Sequence, residues 1–205
     1  MTFVSTRWNA ATRTPNPVWN LDAVGGYDLS GVLLQSNGTT SFGQVLSGTC
    51  LGEVTATPGR YRPCTLGTGT TAGSLNTIVI GVAAQKFFIG DVVTLYDISV
   101  GTTLATGRNV TAVAATTVTF DGAAVALAIG DEIRGEDGSE TPSGILLDSV
   151  TTVNLSPDPD GALSEGDQPI TFLVEGIVDE SEMPNIDPAE KTSIAASSSL
   201  SIIFR

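Results

Sequence analysis

Cys50 and Cys64 are the only cysteines of this chain, and it contains no histidine. The missing histidine removes Ser-His-Asp and Cys-His nucleophile pairs, imidazole proton shuttles and imidazole metal sites together. Thiol, carboxylate and lysine chemistry remain. Thr57-Pro58-Gly59 reads as a hairpin turn midway between the cysteines, which sets them almost opposite one another on its two arms. A disulfide there closes a short loop and contributes up to about 3 kcal/mol through chain entropy, whereas a reducing cytoplasm favours two buried thiols. Two thiols without a histidine do not complete a tetrahedral zinc site alone, so no metal and no cofactor is expected.

The carboxylates carry less of a signal. Phe88-Ile89-Gly90-Asp91-Val92-Val93-Thr94-Leu95 is echoed by Ala128-Ile129-Gly130-Asp131-Glu132-Ile133-Arg134. In both copies the glycine supplies positive φ and the aspartate accepts local N–H bonds before a strand, so a turn explains them without catalysis. The loop Ser156-Pro157-Asp158-Pro159-Asp160-Gly161 has carboxylates suited to calcium but not the later ligands of an EF-hand, and reads as a solvated acidic turn. A glycoside-hydrolase pair needs two carboxyls facing across a cleft, and no pair here stands apart from turn residues. The formal charge of −13 leaves no basic footprint for nucleic acid and suits a soluble, self-repelling protein made in high copy.

Residues 1–30 read as an extended arm with Pro15 and Pro17 and no clear period. The arm holds both tryptophans, Trp8 and Trp19, with Phe3, Val4, Arg7 and Arg13, and no acidic residue before Asp22. It either folds back on its own core or docks on another chain as an added strand. It has no apolar signal-like region, and no run approaches the roughly 18 apolar residues of a membrane span. The chain is expected in a cytoplasm or in a particle assembled there, with no membrane partner.

The elements that must position these residues are mainly β. Aromatic residues are 6% and charged residues 15% of 205, and the remainder is rich in Thr, Gly, Ala, Val and Ser, a mix that suits thin sheets with tight turns. Residues 31–75 and 138–205 are expected to form one discontinuous core, with a hairpin from Val45–Ala56 and Tyr61–Leu66. Residues 76–137 are expected as an inserted small barrel, SH3-like, reached through a flexible linker from Gly67 to Ser74. Asp187-Pro188-Ala189-Glu190 starts a short helix ending near Ala196, with Asp as N-cap, Pro at N1 and Glu at N3. Leu200-Ser201-Ile202-Ile203-Phe204 needs a sheet or an interface to cover it.

The order of Gly43, Leu46, Gly48, Leu51, Gly52, Val54 and Thr55, then Gly59-Arg60-Tyr61, Gly144-Ile145-Leu146 and Val174-Glu175-Gly176-Ile177-Val178, resembles the lambda-type head decoration proteins of tailed bacteriophages. The resemblance implies a Gly/Thr-rich, barrel-like decoration core and a capsid cement rather than an enzyme. It implies a homotrimer on the outer surface of the expanded virion head, at three-fold positions, with the major capsid protein as partner, resisting the pressure of packaged DNA. It also implies an arm that grips the shell, through Phe3, Val4, Arg7, Trp8, Arg13 and Trp19. The alternative is a surface-adhesion or carbohydrate-binding β-module.

Overall fold

Short runs of Thr, Val and Leu between glycine turns fold as strands throughout this computed structural model, which describes residues 18–19, 27–152, 167–183 and 185–205. In chain order the strands are β1 (Val18–Trp19), β2 (Tyr27–Leu33), β3 (Gln44–Val45), β4 (Cys50–Glu53), β5 (Arg60–Pro63), β6 (Leu66–Thr68), β7 (Gly73–Leu75), β8 (Thr77–Val79) and β9 (Val92–Asp97). There follow β10 (Thr102–Val113), β11 (Thr117–Phe120), β12 (Val125–Leu127), β13 (Glu132–Gly135), β14 (Pro142–Leu146), β15 (Val150–Thr151), β16 (Gln168–Val178), the helix α1 (Pro188–Ala196) and β17 (Ser201–Phe204). The chain is mainly β, and none of its described helices is long and apolar enough to cross a membrane.

Five strands close into a barrel in the order β2, β16, β14, β4, β5 and back to β2. Only the closing pair is parallel, with Val32 opposite Arg60 and Leu33 opposite Tyr61. Closure removes the open edges that invite aggregation. These strands bury Leu33, Leu51, Ile145, Leu146, Phe172 and Leu173, each at most 1% exposed. Burying one such side chain stabilises the fold by about 1.5–3 kcal/mol. The C-terminal run is paired into the sheet: β17 lies parallel to β16, with Ser201 opposite Glu175 and Phe204 opposite Val178, Leu200 being buried and Ile203 exposed.

A half-barrel follows the order β6, β13, β9, β10, β11, β8, beside the two-stranded pair β7 and β12. Its own core gathers Ile78, Phe87, Val93, Leu95, Phe120 and Ile133. The repeated Gly-Asp turns form as the residues require. Gly90 and Gly130 have φ of 94° and 99°, Asp91 Oδ2 accepts the Phe88 N–H at 2.9 Å, and Asp131 Oδ2 accepts the Ala128 N–H at 2.7 Å.

Two boundaries differ from the sequence expectation. Residues 27–30, placed with the arm, belong to barrel strand β2. The stretch 67–74, expected as a linker, supplies β6 and β7 to the half-barrel sheets, where they pair with β13 and β12. Its glycines serve close packing instead of flexibility: a Cβ on Gly67 would lie 2.8 Å from Ile80 Cδ1, and the Gly69 N–H donates to the Asp131 carbonyl. The inserted unit therefore begins at Leu66. It leaves and returns side by side, since the Thr65 N–H donates to the Ser139 carbonyl at 3.2 Å and the two hydroxyls lie 2.6 Å apart.

Candidate functional site

The joint between barrel and half-barrel is polar and buried. Arg62, on β5, reaches Asp91 Oδ2 at 2.7 Å and Asp137 Oδ2 at 2.9 Å, with its guanidinium 5.0 Å from the centre of the Phe42 ring. Asp91 is held from the barrel side as well, because Asn37 Nδ2 donates to its Oδ1 at 2.6 Å. Burial pushes the Asp137 carboxyl up, but the Arg62 charge and the Ser139 hydrogen bonds outweigh that and hold it below the usual aspartate range.

A second buried cluster lies where α1 meets the insert. Lys86 Nζ sits 2.6 Å from Glu190 Oε2 and donates to the Leu66 carbonyl at 3.2 Å. Both ionised side chains are at most 1% exposed. Glu190 is there because it is the N3 residue of the capping box, its Oε2 accepting the Asp187 N–H at 2.9 Å. The Asp187 carboxylate in turn accepts from the N–H and hydroxyl of Thr68 on β6, so the insert grips the helix start directly.

Cys50 and Cys64 belong to this second cluster. Both are free, buried thiols, Cys50 on β4 and Cys64 just after β5, with the Cys64 N–H donating to the Cys50 carbonyl at 2.9 Å. Their sulfurs and a carboxylate oxygen of Glu190 all lie within 4.8 Å of one another. Burial, the neighbouring thiol and the charge of Glu190 push the Cys64 thiol well above the ordinary range. For Cys50, contact with Cys64 pulls the value down, but burial and Glu190 leave it raised. Raised thiols are poor nucleophiles, so the pair does not read as a reaction centre.

Between α1 and the half-barrel runs a groove of about 860 Å³, lined in part by Leu66, Tyr96, Ile98, Arg134, Glu140 and Pro188. The Arg134 guanidinium stacks 4.2 Å from the centre of the Tyr96 ring and pairs with Glu132 at 2.6 Å. That covers one face of the aromatic ring a sugar would stack on. Glu136 Oε1 accepts from Thr94, Thr106 and the Gly107 N–H, which hold it below the usual carboxylate range. Glu140 is the carboxyl here that burial raises. With Glu132 and Glu136 held by these partners, the groove lacks, among the described residues, the second free carboxylate of a glycosidase pair.

Of the predicted arm contacts, Phe3, Val4, Arg7, Trp8 and Arg13 lie outside the described residues, as does the acidic loop 156–161. Trp19 lies in β1, which adds to the end of β16 with Val18 opposite Val178 and Trp19 opposite Ile177. Sequence reasoning missed Arg62, Lys86 and Glu190 as joint residues. A lone Lys in the otherwise uncharged run from Ile78 to Ile89 was the available signal for Lys86. No family model, curated protein or solved structure matches this chain.

Proposed function

We propose that this chain is a structural cement: a decoration protein that binds as a homotrimer at three-fold positions on the outer surface of an expanded phage head and holds neighbouring major capsid proteins together. The observation that carries the reading is the seat of β1. Val18 and Trp19 are clamped to the end of β16, a strand built into the closed barrel. The preceding chain, with its aromatics and arginines and no carboxylate, is thus followed directly by a segment paired with the barrel wall. Aromatic and arginine side chains are the residue types that dominate protein interfaces, and an acidic lattice partner would favour the arm over the acidic body. Trimeric symmetry multiplies a modest grip by simultaneous attachment.

The test is a chain lacking residues 1–17, mixed with expanded, undecorated heads and sedimented. Uptake is expected to fall at least about tenfold, as loss of interface anchors predicts, while the thermal melt stays unchanged. Undiminished uptake overturns the role of the arm. A full-length chain sedimenting as a monomer overturns the trimer.

A further inference from the structure

We propose that Cys50, Cys64 and Glu190 form a binding site for a thiophilic divalent cation of the zinc class, buried at the joint between barrel, helix and insert. The three donors come from β4, from the residue following β5 and from the first turn of α1. Two sulfurs and one carboxylate oxygen within 4.8 Å of one another are a step away from a tetrahedral site. With Zn–S of about 2.3 Å and Zn–O of about 2.0–2.2 Å, donors in such a site lie roughly 3.5–3.8 Å apart. A contraction of about an ångström brings them there, and side-chain rotation supplies movements of that size.

An independent observation points the same way. Glu190 Oε2 is committed to Lys86 and to the Asp187 N–H, but Oε1 is fully buried and has no hydrogen-bond partner. A carboxylate oxygen left without a partner in a protein interior is costly. Beside two sulfurs, a metal ion is a ligand that answers it. The sequence offered only two of these donors, and a pair of thiols is insufficient. The fold delivers the third from a residue whose local role as a helix cap concealed it.

Charge bookkeeping agrees. Without metal, two neutral thiols, one carboxylate and the Lys86 ammonium sum to zero. On loading, each S–H bond breaks, its proton leaves to solvent, and each sulfur electron pair forms a bond to the cation. Two thiolates, one carboxylate, one ammonium and one divalent cation again sum to zero. Loading thus leaves the net charge of the site beside the buried Asp187 carboxylate unchanged, which avoids adding an uncompensated interior charge. Lys86 remains the counter-ion on Oε2, and the fourth position falls to a small ligand such as water. The ion would tie both hairpin arms to the C-terminal helix.

The test uses the full chain, reduced and stripped of metal with a chelator, and titrated with cobalt(II), both in the native state and during refolding so that burial does not block entry. One cobalt per chain is expected, with a near-ultraviolet thiolate-to-cobalt band and the visible bands of a tetrahedral site, all displaced by zinc. Wild-type protein should release about two protons per ion, and apparent affinity should rise by about a hundredfold per pH unit near neutrality. Glu190→Gln, which keeps a side chain able to cap the helix, should weaken binding by about tenfold or more. Cys50→Ser and Cys64→Ser should each diminish the thiolate band. No cobalt uptake under either condition overturns the proposal, as does uptake without a thiolate band or without proton release. Those three readings need only the wild-type chain, so a variant that fails to fold leaves the outcome decided.

Discussion

Arg62 is the residue on which the two halves of the molecule meet. Its side chain is 4% exposed between Asp91, itself 2% exposed, and the more open Asp137. Such a pair contributes little net stability relative to a well-packed apolar pair, but breaking it strands a charge in the interior. Asp91→Ala should therefore cost about 3–5 kcal/mol, measured by urea denaturation. Arg62→Met combined with Asp91→Ala, which lacks the turn acceptor just as the single variant does, should recover at least half of that loss; no recovery would mean that Asp91 matters for its turn and not for its charge. The sequence made Asp91 legible as a turn residue, because the Phe88 N–H it accepts is three positions away. It did not reveal the arginine, 29 positions away, since nothing local distinguishes a paired aspartate from a solvated one.

Elements whose signals are local were readable in the same way. The helix start at Asp187 and the paired Gly-Asp turns depend on contacts within three residues, and both form as composition predicts. Where glycine was ambiguous the reading failed: a run of Gly and Thr fits both a flexible tether and a strand in close contact, and packing decided for the strand at β6. Gly52 on β4 is a second case of close approach. A Cβ there would run into the Ser139 carbonyl oxygen, on backbone that returns from the insert. Gly52→Ala should destabilise at the upper end of the overpacking range, about 3 kcal/mol, seen as a lower thermal midpoint. A midpoint equal to that of the unaltered chain would show that the β4 edge can shift to make room.

At the scale of the whole molecule, the two cores are separate in composition and are joined by buried ion pairs and by the contact of the Phe42 and Phe88 rings. Lys86 and Asp91 belong to the insert, while their partners Glu190 and Arg62 belong to the barrel side. Replacing residues 67–136 with a short Gly-Ser link should therefore weaken the barrel, although Thr65 and Ser139 already lie side by side. The same excision carrying Glu190→Gln should restore a cooperative melt, because Glu190 is the buried charge that loses its cation with Lys86, while Arg62 keeps Asp137. Calorimetry of the two shortened chains checks this, and equal stability would show that the joint charges find solvent once the insert is gone.

Barrel closure sets the timing of folding. Strand β2 finds its longest partner in β16, pairing Leu33 with Gln168 and Leu29 with Phe172. The half-barrel, by contrast, is complete within residues 66–135. On the ribosome the guest can therefore assemble while its host still lacks a wall. Once formed, it draws β5 and β14 together and shortens the loop that the last long strand must span, lowering the entropic barrier to sealing the barrel. An insertion that interrupts the host in sequence thus becomes its template in time.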